Sequence, residues 1–144
     1  MSEESRVRSD VVAALRPLLA FPVENTAHVG CPDVCCLLGW IEIKLADRPA
    51  RHDTRVTVVV RPAQRLWMRS WGGQRGSCWW LTRLTGQDQS DLWTLHDGAI
   101  GAEHLGHWTE SQMLGLALWS MWRVGGVPGA QIMQALIDTV TQRR

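Results

Sequence analysis

The sequence predicts an α+β domain, and three observations carry that expectation. DVCCLL and WIEIKLA flank Gly39 and are rich in residues that suit a sheet, so residues 33–46 read as a hairpin. Pro62 heads a helical run, PAQRLWMRSW, which Gly72-Gly73 closes. Thr109 with Gln112 makes a capping-box signature for a later helix.

The remaining elements follow in chain order. Val7, Val11, Leu15 and Leu18 recur at helical spacing, so a first amphipathic helix starts after Ser2 and bends near Pro17. FPVEN gives a short strand and NTAHVG a loop; ADRPARHD is a second loop. TRVTVVV, dominated by β-branched residues, reads as strand or extended linker. SCWWLTRL and DLWTLHDG alternate as two more strands around a turn, TGQDQS, and in such an alternation only one of Trp79 and Trp80 faces inward. The helix after Thr109 is expected to run to about Val124 and stop at Gly125-Gly126. Pro128 then opens a last helix with Ile132, Leu136 and Val140 on one stripe. The expectation is one domain over residues 1–144, with a core over about 1–100 and a C-terminal helical pair over about 109–142.

No apolar stretch approaches the roughly 20 residues that span a bilayer, and neither end reads as a secretion signal, so a cytoplasmic protein without a membrane partner is expected. Cys31, Cys35, Cys36 and Cys78 lack paired C-x-x-C knuckles and read as reduced, buried thiols. Net charge is only +1, but Asp47 to Arg83 holds eight arginines against two aspartates, a local +6. A basic segment beside a carboxylate cluster suits a polyanion such as nucleic acid.

Charge within the hairpin is the informative feature. If Leu38-Gly39 is its two-residue loop, Asp33 lies opposite Lys44 and Cys35 opposite Glu42, and Asp33, Glu42 and Lys44 project from one face. Asp33 and Glu42 are then diagonal neighbours, about 7–8 Å apart between backbones, from which two carboxylates can converge on a hard cation. A three-residue turn would send Asp33 to the other face. Fourteen of the fifteen basic residues are arginine and the single lysine is Lys44, a compact donor whose pKa can be tuned where arginine's cannot. On the next helix Arg61, Arg65 and Arg69 recur every fourth residue beside Gln64, a stripe suited to phosphate contacts.

Gly30-Cys31-Pro32-Asp33 followed by Glu42-Ile43-Lys44 resembles the PD-(D/E)XK nuclease core. Arg61-Pro62-Ala63-Gln64-Arg65-Leu66-Trp67 is similar to the glutamine-bearing helix start of the VRR-NUC and Holliday-junction-resolvase branch, including its small bacteriophage-encoded members. The resemblance covers about residues 1–85. It implies a restriction-endonuclease-like core, a mixed sheet flanked by helices, acting as an endodeoxyribonuclease on branched or structured DNA in a host cytoplasm. Asp33 and Glu42 would hold Mg²⁺ or Mn²⁺, with the Ile43 backbone carbonyl as a further ligand. Lys44 would orient the attacking water, and Gln64 would position the water or the scissile phosphate. An acid from the first helix is also common in the family; Glu3, Glu4 and Asp10 are the possible matches, Glu24 on the strand before the core is another candidate, and none is chosen. No organic cofactor is implied. The alternative is a non-catalytic nucleic-acid-binding or phage assembly factor that keeps the fold.

Other constellations carry less. His104 and His107, with Glu103 adjacent and His96 upstream, lack the spacing of a zinc motif and read as surface residues. No serine sits in a G-x-S-x-G elbow. Nine tryptophans invite base stacking, with Trp67 and Trp71 one helical turn apart. ESQMLGLALWSMWRV is apolar around much of a helix, which calls for burial inside the domain or against a second copy; together with the resolvase resemblance this makes a homodimer the expected assembly.

Overall fold

The computed structural model describes residues 1–24, 30–73 and 77–142, so the loop expected over NTAHVG lies largely outside the described residues. One six-stranded sheet organises the chain, in the order β1 (Phe21–Pro22), β2 (Val34–Cys36), β3 (Gly39–Asp47), β4 (Cys78–Thr85), β5 (Ser90–Asp97) and β6 (Trp119–Val124). β3 and β4 run parallel and every other neighbouring pair is antiparallel, which makes the sheet mixed. The parallel pair needs a crossover. It is made by an extended segment and α2 (Pro62–Gly73), opening on Pro62 as expected.

Helices cover both faces. On one, α1 (Glu3–Ala14) and α5 (Gly129–Gln142) deliver Val7, Val11, Ile132 and Leu136 onto Ile41, Ile43, Trp79, Leu81 and Trp93. On the other, α2, α3 (Gly98–His104) and α4 (Glu110–Leu116) bring Met68, Ala102 and Met113 onto Cys78, Trp80, Leu84 and Leu92. Because both faces are covered, Trp79 and Trp80 are both fully buried, one in each core. The expectation that only one faces inward fails for that reason.

Ser2 caps α1 through its side chain, and Pro17 sits in a short 3-10 turn after it, as the spacing predicts. TRVTVVV forms no strand: apart from a single bridge from Arg55 to Thr109 it is an extended linker. α3 has no counterpart in the sequence expectation. Asp97 caps it, accepting from the Ala99 and Ile100 N–H groups, and Asp97 before an alanine-rich turn was the available signal.

The C-terminal helical pair is corrected. The Thr109–Gln112 capping box forms, but α4 ends at Leu116 and the chain turns extended at Ala117. Trp119–Val124 then pairs with the open edge of β5, Leu92 opposite Trp122 and Leu95 opposite Trp119. Ladder hydrogen bonds and cross-strand packing outweigh the helical apolar pattern here, since sheet context routinely overrides a weak local preference. Of the expected pair, α5 alone keeps its length.

Candidate active site

The hairpin register decides which side chains meet. Cys36 pairs with Gly39 and Val34 with Ile41, so the loop is Leu37-Leu38, not Leu38-Gly39. The difference is two residues in pairing, which preserves the faces and sets Asp33 across from Glu42 instead of Lys44. Gly39 explains the tight turn: its φ is +150° and a Cβ there would lie 2.1 Å from the Ser77 carbonyl oxygen.

β2 begins only at Val34, whereas β3 continues to Asp47, so β3 carries a free edge from Glu42 onward. Asp33 tends that edge. Its Oδ2 accepts the Ile43 N–H at 3.0 Å, and its own N–H donates to Glu42 Oε2 at 3.1 Å. In an extended strand the N–H and C=O of one residue face the same neighbour. The Ile43 carbonyl therefore faces the same edge as Asp33.

Glu42 is 2% exposed and Lys44 is 9% exposed. Lys44 Nζ lies 3.4 Å from Glu42 Oε1 and donates to Gln64 Oε1 at 2.9 Å, while Gln64 Nε2 donates to Glu42 Oε1 at 2.6 Å. Gln64 Oε1 also accepts the Arg61 N–H at 3.0 Å. Gln64 is the third residue of α2, so this last bond is half of a capping box, and it orients the amide that touches Lys44 and Glu42. Gly30 holds the other wall: with φ +91°, a Cβ there would come within 2.3 Å of the Ala63 carbonyl oxygen.

These groups line a polar cleft of about 370 Å³ with Glu4, Leu45, Val59 and Arg61. Burial, and next the Asp33 charge, push the Glu42 carboxyl up to about 8, against the opposing pull of Lys44. Burial and the same two carboxylates raise the Cys31 thiol as well. Arg8, on α1, reaches to 4.0 Å from Asp33 Oδ1 and also lines the neighbouring groove between α1 and β1, with Arg16 and Glu24.

No family model, curated protein or solved structure matches this chain. Its geometry carries the reading alone.

The sequence-stated residues divide clearly. Asp33, Glu42, Lys44 and Gln64 converge. Of the candidate additional acids, Glu4 lines the cleft, Glu3 pairs with Arg83, Glu24 lies in the neighbouring groove, and Asp10 is exposed. Among the described residues no three carboxylate, histidine or cysteine side chains gather as a metal-ligand set. Arg61 and Arg69 are exposed, but Arg65 is committed elsewhere: it donates to the carbonyls of Ala102 and Leu105 at 2.9 and 2.6 Å, closing the C-terminal end of α3. The three arginines thus do not form one solvent-facing stripe. Arg8 is the residue that sequence spacing missed, because nothing in a one-dimensional pattern places α1 beside the hairpin. His96, His104 and His107 do not converge either; His96 is buried against the Met113 carbonyl, and His104 stacks on Trp108.

Proposed function

We propose that this protein is a metal-dependent endonuclease with a restriction-endonuclease-like core, cleaving phosphodiester bonds in branched or structured DNA. The observation that carries the reading is the Asp33–Glu42–Lys44–Gln64 cluster, hydrogen-bonded across 31 residues of chain at a free stretch of a central strand. Two carboxylates, an amide and a lone lysine around a polar cleft are the groups that phosphodiester hydrolysis needs.

The donor set fits a hard divalent cation. Asp33 and Glu42 would hold Mg²⁺ or Mn²⁺ with the Ile43 carbonyl, all oxygen donors, and a buried carboxyl driven up to about 8 by burial and a neighbouring acid is one that gains from a positive charge. When bound, such a cation neutralises charge growing on phosphate oxygens and makes water more acidic.

The chain's own residues do the rest. Lys44 keeps a compact cationic donor at the Glu42 carboxylate, and Gln64 fixes its direction by accepting from Nζ. The Arg61 and Gln64 end of α2 lines the cleft, where the Arg61 charge and the positive end of the helix dipole favour an anion. Arg8, Arg61 and Arg69 supply sequence-independent phosphate contacts that set the strand's path. Arg65 has no part in this, being held by α3.

The test is cleavage of labelled four-way junction, flap, single-stranded and duplex DNA with Mg²⁺, Mn²⁺ or EDTA. Wild type is expected to cut only with metal, and Asp33→Ala and Lys44→Ala each to lower the rate at least about a hundredfold. Cutting that survives both substitutions rejects the assignment. Metal-independent binding with no cutting under any condition favours the non-catalytic factor.

A further inference from the structure

α2 presents Gln64, Trp67 and Trp71 at i, i+3 and i+7, one stripe of the helix. Gln64 meets Glu42 and Lys44 on β3; the two tryptophans meet Trp40, two residues earlier on β3 and on the same side as Glu42. The Trp67 and Trp71 rings stack, with centroids 5.2 Å apart and planes 13° from parallel. Trp40 sets its edge against both, at 5.4 and 6.1 Å.

Trp79, Trp80 and Trp93 are completely buried, whereas Trp40 and Trp67 pack on the core of the α2 face while keeping part of their surface open. Trp71 is left 42% exposed, and Trp40 and Trp67 are only half-buried. The exposed member of the ring stack, Trp71, lies on the helix that also supplies Gln64 to the cleft.

We propose that Trp40, Trp67 and Trp71 form a stacking platform for an unpaired nucleobase of the DNA strand whose phosphate lies in the cleft. The proposal rests on the nuclease reading for its substrate and adds the feature of that substrate being selected. Seven residues of helix separate Gln64 from Trp71, about 10 Å at 1.5 Å per residue. That is the span of about one to three nucleotides from the cleft. Bases inside a continuous duplex stack on one another and offer only their edges, so the platform favours DNA with an unpaired nucleotide next to the cleavage position. Exposed Arg61, the residue before α2, and exposed Arg69 within it carry charge that suits a phosphate backbone running along the helix.

Binding in EDTA tests the platform apart from cleavage. The probes are dye-labelled oligothymidylate, a forked duplex and a blunt duplex of equal length, read by fluorescence anisotropy at fixed salt. Trp71→Leu, which keeps apolar cover without an aromatic face, is expected to weaken oligothymidylate and fork binding by about five- to a hundredfold. Blunt-duplex binding should change by less than about twofold, and Trp71→Phe should keep the wild-type preference. Oligothymidylate should also quench wild-type tryptophan fluorescence, a readout independent of any variant. Equal losses on all three DNAs, no loss on any, absent quenching, or no wild-type binding to oligothymidylate or fork overturns the platform. Trp71-dependent binding without metal-dependent cutting upholds the platform and rejects the nuclease reading alone.

Discussion

His96 illustrates what a buried polar side chain contributes to this molecule. It is fully buried on β5, and Nε2 lies 2.8 Å from the Met113 carbonyl oxygen, which can only accept, so Nε2 carries the proton. Nδ1 has no hydrogen-bond partner among the described residues. Burial holds the ring's pKa below 6.5, while the unfolded chain titrates near about 6.5. Below that pH the unfolded state binds a proton that the native state refuses. The stability His96 supplies is therefore complete above about pH 7 and is lost as pH falls, by up to ~1.4 kcal/mol per pH unit. Urea unfolding from pH 7.5 to 5 should show the wild type losing stability faster than His96→Gln; parallel curves would reject a neutral buried ring. The catalytic candidates were legible at this scale because charges inside an apolar strand call for a reason. Arg65 was not, since a spacing of four names a helix face without saying what covers it.

At the level of elements, Gly30 joins loop to helix. Its positive φ and its approach to Ala63 leave no space for a Cβ, so Gly30→Ala is expected to cost about 1–3 kcal/mol, read as a lower urea midpoint. Cleavage should fall further than stability, because the same loop leads into Asp33. Unchanged stability and activity would mean that the loop relaxes freely. The hairpin was readable from β-prone runs around a glycine, and so was the face shared by Asp33, Glu42 and Lys44, although the loop itself lies one residue earlier than Leu38-Gly39. A shift of two in pairing is invisible to side-chain alternation, and for that reason harmless to it. β6 was unreadable for the opposite reason: LALWSMWRV fits a helix as well as a strand until the β5 edge is present. Its outcome also removes the buried all-apolar helix on which the homodimer expectation leaned, while leaving Leu116, Leu118 and Trp122 exposed.

For the whole molecule, a long-range polar tie runs from the end of β3 to α4. Arg48 Nε donates to Glu110 Oε2 at 2.8 Å, and its guanidinium sits 4.5 Å from the Trp122 ring centroid on β6. Glu110 is 3% exposed, so Arg48→Ala would strand a buried carboxylate. The expected loss is about 1–3 kcal/mol by urea unfolding, reduced from a fully buried pair because the Arg48 side chain keeps 31% of its exposure. Glu110→Gln in the same background should recover part of it; no recovery would assign the loss to packing on Trp122. An α+β fold was legible from alternation and turn residues, whereas the mixed order of the sheet was not, being only what the family resemblance implied, and the composition of the two cores was not, because each draws on elements far apart in sequence. No helix among the described residues is long and apolar enough to cross a membrane. The late start of β2 follows from its own sequence. Pro32 has no N–H and is buried immediately before Asp33, so it cannot lengthen the ladder toward Gly30. Replacing it with a residue that can would let the hairpin zip two rungs further and seal the edge that Asp33 guards. A single imino acid thus sets the doorway's width, and a chain made more regular there would lengthen β2 and close the edge of β3 beside the cleft.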